Sequence, residues 1–208
     1  MKELYLIRHG ESEGNELGII QGHQDFPLSK RGFEQAKSLG EYFLQKSILF
    51  ENIFTSDSLR AKQTCGIIAN LMKKDFFESE KLREMNLGVW QGKKKSDIFM
   101  DESIRKKWDN NPTSFFIDKA ETFIEAQKRI TNFIFNTLKE NIITAYFGHG
   151  TTICLFLCGL FENNADKLWD YKHNNTGWTK ILLNNDNKVL KVSQNITEHL
   201  EINTLNWF

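Results

Sequence analysis

Lys2-Glu3-Leu4-Tyr5-Leu6-Ile7 runs straight into Arg8-His9-Gly10, and Ile142-Ile143-Thr144-Ala145-Tyr146-Phe147 runs straight into Gly148-His149-Gly150. Each is a short β-type run ended by a His-Gly pair. If the two strands are parallel neighbours in one sheet, both imidazoles leave the sheet at the same edge. Ligands of open α/β sheets bind beyond the carboxyl ends of the strands. These two stretches therefore decide both the fold class and where a site should lie.

Working outward, helix and strand signals alternate. Ser29 is placed to N-cap a helix reaching about Gln45, with Phe33, Ala36, Leu39, Gly40 and Phe43 on one face. Asn52–Thr55 reads as a second strand. Asp57 or Ser58 starts a helix to about Met72, with Leu59, Cys65, Ile68 and Leu71 on one side and Arg60 in its first turn. Phe76–Phe77 reads as a third strand. Residues 85–120 are irregular, with a helix near Ser96–Trp108, and Glu121–Glu140 reads as one long helix. An apolar helix follows Gly150. Trp178–Leu183 and Lys188–Val192 flank the turn signal Asn184-Asn185-Asp186-Asn187 and predict a hairpin. The alternation predicts an α/β fold, a mostly parallel central sheet with helices on both faces. No linker or repeat divides the chain, so residues 1–208 are expected to form a single domain, with a variable cap inserted at about 88–120.

Composition narrows the function. Lys+Arg is 27 and Asp+Glu is 27, a formal net charge of zero. A nucleic-acid binder working by phosphate neutralisation carries a cationic excess, so nucleic acid is not the expected partner. The longest apolar run, Thr151–Phe161, is too short to span a bilayer. The first residues carry no n-region, h-region and cleavage site. Cys65, Cys154 and Cys158 are odd in number without a CxxC pair, which fits buried thiols rather than a disulfide framework or zinc site. A cytoplasmic protein is expected, and a homodimer is left open. Arginine is scarce, at positions 8, 31, 60, 83, 105 and 129 only. Where lysine fills most cationic positions, the remaining arginines are candidates for bidentate work an ammonium cannot do. Two His, two Arg and a helix start converging on one sheet edge make an anion-binding and phosphoryl-transfer layout.

Leu6-Ile7-Arg8-His9-Gly10-Glu11-Ser12 resembles the signature of the histidine phosphatase superfamily, the phosphoglycerate-mutase-like proteins. Further segments agree in order and spacing. Gln21-Gly22-His23-Gln24-Asp25-Phe26-Pro27-Leu28-Ser29 resembles the family's QGxxDxPLT segment. Thr55-Ser56-Asp57-Ser58-Leu59-Arg60-Ala61-Lys62-Gln63-Thr64 is similar to its TSxLxRAxQT helix start. Leu82-Arg83-Glu84-Met85-Asn86-Leu87-Gly88-Val89-Trp90-Gln91-Gly92 resembles LxExxxGxWEG. Gly148-His149-Gly150 resembles the second His motif, and Asn195-Ile196-Thr197-Glu198-His199-Leu200 the NxTxHL of the broad-specificity phosphatase branch. The family's Gly-Glu-Ser is Ala120-Glu121-Thr122 here.

The resemblance implies a metal-independent phosphoric monoester hydrolase working through a phosphohistidine on His9. Arg8 and Arg60 would clamp the phosphoryl oxygens, His149 would donate to them, and Asn15 would add a neutral donor. Glu84 would be general acid and then general base, with Glu11 its nearest rival. Gln21, Gly22 and Gly150 resemble substrate-contacting positions. Lys93–Lys95 lies in the cap segment, where either a solvated charge run or contact with a second anionic group fits. Trp90, Trp108, Phe115 and Phe116 read as cap or core packing, and His23, His173 and His199 as structural or surface residues. No compact ligand set such as HExxH appears, so neither metal nor cofactor is expected. The expected partner is a small phosphorylated metabolite. A cofactor-dependent phosphoglycerate mutase is the alternative activity, and a catalytically inactive binding protein on the same fold is the alternative of another class.

Overall fold

The computed structural model of the protein describes residues 1–162 and 164–200. Its elements are β1 (Lys2–Arg8), α1 (Glu13–Glu16), α2 (Lys30–Gln45), β2 (Asn52–Ser56), α3 (Leu59–Met72), β3 (Phe77–Ser79), α4 (Lys95–Ile98), α5 (Glu102–Asn110), α6 (Phe123–Thr137), β4 (Ile143–Gly148), α7 (Gly150–Phe161), β5 (Trp178–Leu183) and β6 (Val189–Ile196). The described residues form one six-stranded sheet in the order β3-β2-β4-β1-β5-β6. The first four of these strands run parallel; β5 is antiparallel to β1, and β6 to β5. The expected α/β class and mostly parallel sheet are what the chain adopts.

The period-2 alternation of β-strands sorts the core into two layers. Leu4 and Leu6 of β1 and Tyr146 of β4 face α6 and α7, against Ile130, Ile134, Leu155 and Phe156. Tyr5 and Ile7, with Ala145 and Phe147, face the other way onto Leu39, Phe43, Cys65 and Ile68 of α2 and α3. Helices thus cover both faces. Burying each such side chain stabilises the fold by roughly 1.5–3 kcal/mol.

Several boundaries differ from the sequence reading, each for a local reason. Thr122 N-caps α6 in a capping box with Glu125, so the helix begins at Phe123 and not at Glu121; it stops at Thr137 because Leu138 takes extended backbone. The single helix expected near Ser96–Trp108 is two, because Asp101 accepts hydrogen bonds from the Ser103 and Ile104 amides and starts α5 afresh. The third strand is Phe77–Ser79 rather than Phe76–Phe77. The hairpin's second strand continues past Val192 to Ile196. Phe33, Leu59 and Leu71, placed on buried helix faces, are 44%, 37% and 37% exposed.

The helix after β1, α2, lies on one face of the sheet, and the helix after the adjacent parallel strand β4, α7, lies on the other. The crevice between two such strand ends is the topological switch point where α/β sheets bind ligands. Arg8 pairs in register with Gly148, which sets His9 beside His149 at that crevice. The loop after β1 is held tightly against α2. A Cβ on Gly32 would lie 1.9 Å from the Glu11 carbonyl oxygen, and one on Gly10 would lie 2.6 Å from the Gly32 carbonyl oxygen. On the other side, the loop before β5 wraps the strand end, its Thr176 amide donating to the Arg8 and His9 carbonyls at 3.1 and 3.2 Å.

Two measurements test this framework. Helix propensity favours Ala over Gly by roughly 1 kcal/mol. Gly66 of α3 has open space where a Cβ would go, so Gly66→Ala should raise the free energy of unfolding. Gly32→Ala should lower it by about 1–3 kcal/mol, because overpacking exceeds the propensity gain; equal stabilisation by both changes would contradict the close packing. The second concerns His173 in the loop before β5, whose burial pushes its pKa down to about 4. Its unfolded value is about 6.5. The unfolded chain therefore binds a proton that the folded one refuses, and stability present above that pH is lost as pH falls toward 4. Between pH 7.5 and 5 the group should cost about 2 kcal/mol. Urea unfolding of His173→Gln should show that much less acid destabilisation than the parent; identical pH dependence would contradict it.

Candidate active site

Arg8 ends β1 with its side chain turned into the crevice. Its Nη1 donates to the His173 carbonyl at 2.6 Å, and its buried Nε has no partner. Arg60, in the first turn of α3, is 1% exposed. Its Nη1 and Nη2 donate to the carbonyls of Gln24 and Gly22 at 3.0 and 2.9 Å, and its Nε is likewise buried without a partner. Among the described residues no carboxylate makes an ion pair with either guanidinium. Backbone carbonyls orient both cations, and Glu84 offsets their charge only from beyond ion-pair distance, a setting that attracts an anion.

His9 follows Arg8. Its Nδ1 lies 2.6 Å from the Gly10 carbonyl oxygen. A carbonyl only accepts, so Nδ1 carries the hydrogen and Nε2 keeps its lone pair. Burial, then Arg60 and Arg8, hold the His9 pKa well below its ordinary value, so the ring is neutral. His149 N-caps α7 and is fully buried, its ring centroid 5.2 Å from that of His9. Its Nε2 lies 2.9 Å from Ser56 Oγ, its Nδ1 is buried without a partner, and burial with Arg60 depresses its pKa as well.

Glu84 faces this group from the irregular segment after the 3-10 turn Glu80–Leu82. Its Oε1 accepts from the amides of Met85 (2.9 Å) and Thr152 (3.1 Å), and its Oε2 from that of Thr151 (3.0 Å). The start of α7 thus holds the carboxyl group by backbone donors. Glu11 is turned away: it accepts from Ser29 Oγ at 2.8 Å and pairs with Arg31. That removes it as a rival acid.

A cavity of about 810 Å³ opens over these residues. Arg8, His9, Arg60, Glu84, Asn15, Gln21, Gly22 and Gly150 all line it. Of the residues expected to be catalytic or to bind substrate, His149 alone lies behind the lining. Asn15 spends its Oδ1 on Ser12 and Asn175, so its Nδ2 is the donor left for a ligand. Gln21 Oε1 accepts from Ser12 Oγ. Gly150 lies close over Arg8, where a Cβ would sit 3.4 Å from Nε. Of the lysine run only Lys95 lines the cavity; burial and Arg8 bring its pKa down to about 8. Trp90, Phe99 and Trp108 of the segment over the site form a ring cluster, so these aromatics pack together and wall the cavity at once. Phe115 packs on Trp90 and Trp108, whereas Phe116 is 88% exposed.

Sequence reasoning missed Trp169, Lys172 and His173, which complete the cavity from the loop before β5. It also missed what the C-terminal motif does. Asn195 Oδ1 accepts from the Asn174 amide, and His199 Nε2 lies 2.9 Å from Thr176 Oγ1, so this motif braces the loop that holds Arg8. Ser56 stood inside a quoted motif; Asn174–Thr176 carried no signal of their own. Among the described residues no group of three or more His, Cys, Asp or Glu could hold a metal ion, and no helix is long and apolar enough to cross a membrane.

Known proteins are similar to this chain in sequence and fold. The chain is 26% identical over 204 residues to phosphoserine phosphatase 1 of Hydrogenobacter thermophilus, covering 96% of this chain and 95% of that protein. It is 26% identical over 194 residues to the adenosylcobalamin/alpha-ribazole phosphatase of Escherichia coli, covering 91% and 94%. Among solved structures, the phosphoserine phosphatase of Entamoeba histolytica in complex with 3-phosphoglyceric acid superposes with a TM-score of 0.82 at 26% identity, covering 97% of this chain and all of that one. The family model for the histidine phosphatase superfamily, branch 1, matches residues 4–196, and the chain belongs to that family.

Proposed function

We propose that this phosphatase hydrolyses phosphomonoesters of small metabolites through a phosphohistidine on Nε2 of His9. The observation that carries this reading is the tautomer set by Gly10, which leaves a neutral Nε2 with its lone pair beside two guanidiniums that make no carboxylate ion pair among the described residues. Arg8 and Arg60 hold the phosphoryl oxygens and offset charge in the transition state. His149 and the Asn15 amide add donors. Nε2 attacks phosphorus, the bond from phosphorus to the ester oxygen breaks, and the leaving oxygen takes a proton from Glu84. Oε2 has one amide donor against two on Oε1, so a lone pair remains there for that proton. Water then attacks the phosphohistidine and gives its proton to Glu84, releasing phosphate and restoring His9.

Hydrolysis is favoured over mutase action because the cavity is far larger than a phosphoryl group and its rim residues Arg105 and Asp109 are exposed. A mutase must exclude water while its intermediate turns over. The relatives named above support phosphoserine as the first substrate to assay. Three buried cysteines with no disulfide between them support a reducing, cytoplasmic setting.

Labelled substrate quenched in rapid mixing should give an acid-labile, base-stable phosphoprotein, unchanged in EDTA. His9→Ala should not label and should lose at least roughly 10⁴-fold in kcat; a His9→Ala enzyme at full rate would end the mechanism. Given 3-phosphoglycerate, the protein should release free phosphate faster than it forms 2-phosphoglycerate. Isomerisation well ahead of phosphate release would promote the mutase reading.

A further inference from the structure

Glu84 sits on a stretch with no ladder or helix of its own. The 3-10 turn Glu80–Leu82 ends before it, and the next, Gly88–Trp90, begins after it. Something else must hold this stretch in place if its carboxyl group is to meet a leaving oxygen. Arg129 of α6 does so from outside the cavity. Its Nε and Nη2 fork onto Glu121 Oε1 and Oε2 at 2.8 and 2.7 Å. Its Nη1 donates to the carbonyls of Lys81 and Arg83, both at 2.9 Å, and Nη2 also reaches the Glu84 carbonyl at 3.3 Å. Glu121 continues the grip: Oε2 accepts from the Asn86 amide, and its own amide donates to the Asn86 carbonyl, both at 3.1 Å. The pair thus holds peptide groups on both sides of Glu84. A ring N–H of His23 also donates to the Glu84 carbonyl, at 2.9 Å.

Neither Arg129 nor Glu121 lines the cavity, so neither touches substrate. Both are largely buried, with side chains 17% exposed. A lysine could not substitute. Its three donors radiate from one nitrogen and cannot both fork a carboxylate and reach the carbonyls of Lys81, Arg83 and Glu84.

We propose that the Arg129–Glu121 pair is the positioning device for the proton donor: it sets where the Glu84 carboxyl group stands and thereby governs protonation of the leaving oxygen. This rests on the reading of Glu84 as the general acid. A displaced acid harms reactions in proportion to their need for a proton. An alkyl ester expels a strongly basic alkoxide and needs it; a nitrophenyl ester expels a stable phenolate and barely does.

The test compares phosphoserine with 4-nitrophenyl phosphate on Arg129→Lys, Glu121→Gln and Glu84→Gln, using kcat/KM, which for this two-step reaction covers binding and phosphoryl transfer to His9 and leaves out hydrolysis of the phosphohistidine. Arg129→Lys and Glu121→Gln should each lose roughly 10²-fold on phosphoserine and under about 5-fold on the nitrophenyl ester. Combining Arg129→Lys with Glu84→Gln should add little beyond Glu84→Gln, because both act on one proton transfer. Equal losses on the two esters, or full additivity with Glu84→Gln, would make the pair a stability element only and overturn the proposal. Should Arg129→Lys fail to fold, Glu121→Gln decides, since it keeps an amide oxygen for the fork. If Glu84→Gln itself shows no dependence on the leaving group, the assignment of Glu84 fails; if Glu84→Gln shows it and the pair's variants do not, only the positioning role fails.

Discussion

Two guanidinium groups buried with no carboxylate ion pair among the described residues are the constraint on which this molecule is built. Taking such a cation out of water costs several kcal/mol. Arg8 and Arg60 recover part of that cost from carbonyl oxygens of His173, Gln24 and Gly22. Carbonyls orient a cation without cancelling it, so the positive field stays available to a ligand. The same field, added to burial, keeps His9 and His149 unprotonated. Nucleophilicity at one residue and anion affinity at its neighbours therefore have a common origin. The carboxyl group of Glu84, held by the amides at the start of α7, completes the charge distribution from the other side.

Placing that group of charges at a sheet edge solves a geometric problem. Adjacent parallel strands whose helices leave on opposite faces open a gap no side chain needs to fill. Rigid elements supply the floor, Arg8 from β1, Arg60 from α3 and His149 from the end of β4. The walls come from shorter, separate pieces such as α4 and the Asp101-capped α5, joined by aromatic contacts rather than a ladder. The chemistry stays with the parts that cannot move, and the fit to the rest of the substrate with the parts that can vary.

Much of this could be read from the chain, and the residues show why some could not. Strand alternation and the two His-Gly pairs announce the sheet and its active edge because those signals are local. Arg8, His9, Asn15, Gln21, Gly22, Arg60, Glu84 and Gly150 line the cavity as the motifs implied. His149 was legible as a site residue, while its place behind the lining depends on how β4 meets β2. Arg129 was visible only as a rare residue type. Its task rests on backbone carbonyls some 45 positions away, and carbonyls have no signature in a sequence. The break at Asp101 and the early end of α6 were lost for a similar reason: a cap or an extended residue outweighs a continuing apolar period.

The sheet order has a consequence for how the protein behaves in a crowd. Its outer strands, β3 and β6, carry backbone groups that another chain could pair with. β3 is only three residues long, too short to template much. β6 has eight residues, with Leu190 and Val192 outward at 55% and 39% exposure. Its pairing with β5 is interrupted by register shifts at Trp178/Lys180 and Leu182/Leu183, and Asn195 near its end is in left-handed backbone. Lys188 precedes the exposed apolar pair and Lys191 lies between its two members. An irregular rim of this kind, with lysines among its exposed apolar residues, is a poor partner for edge-to-edge growth.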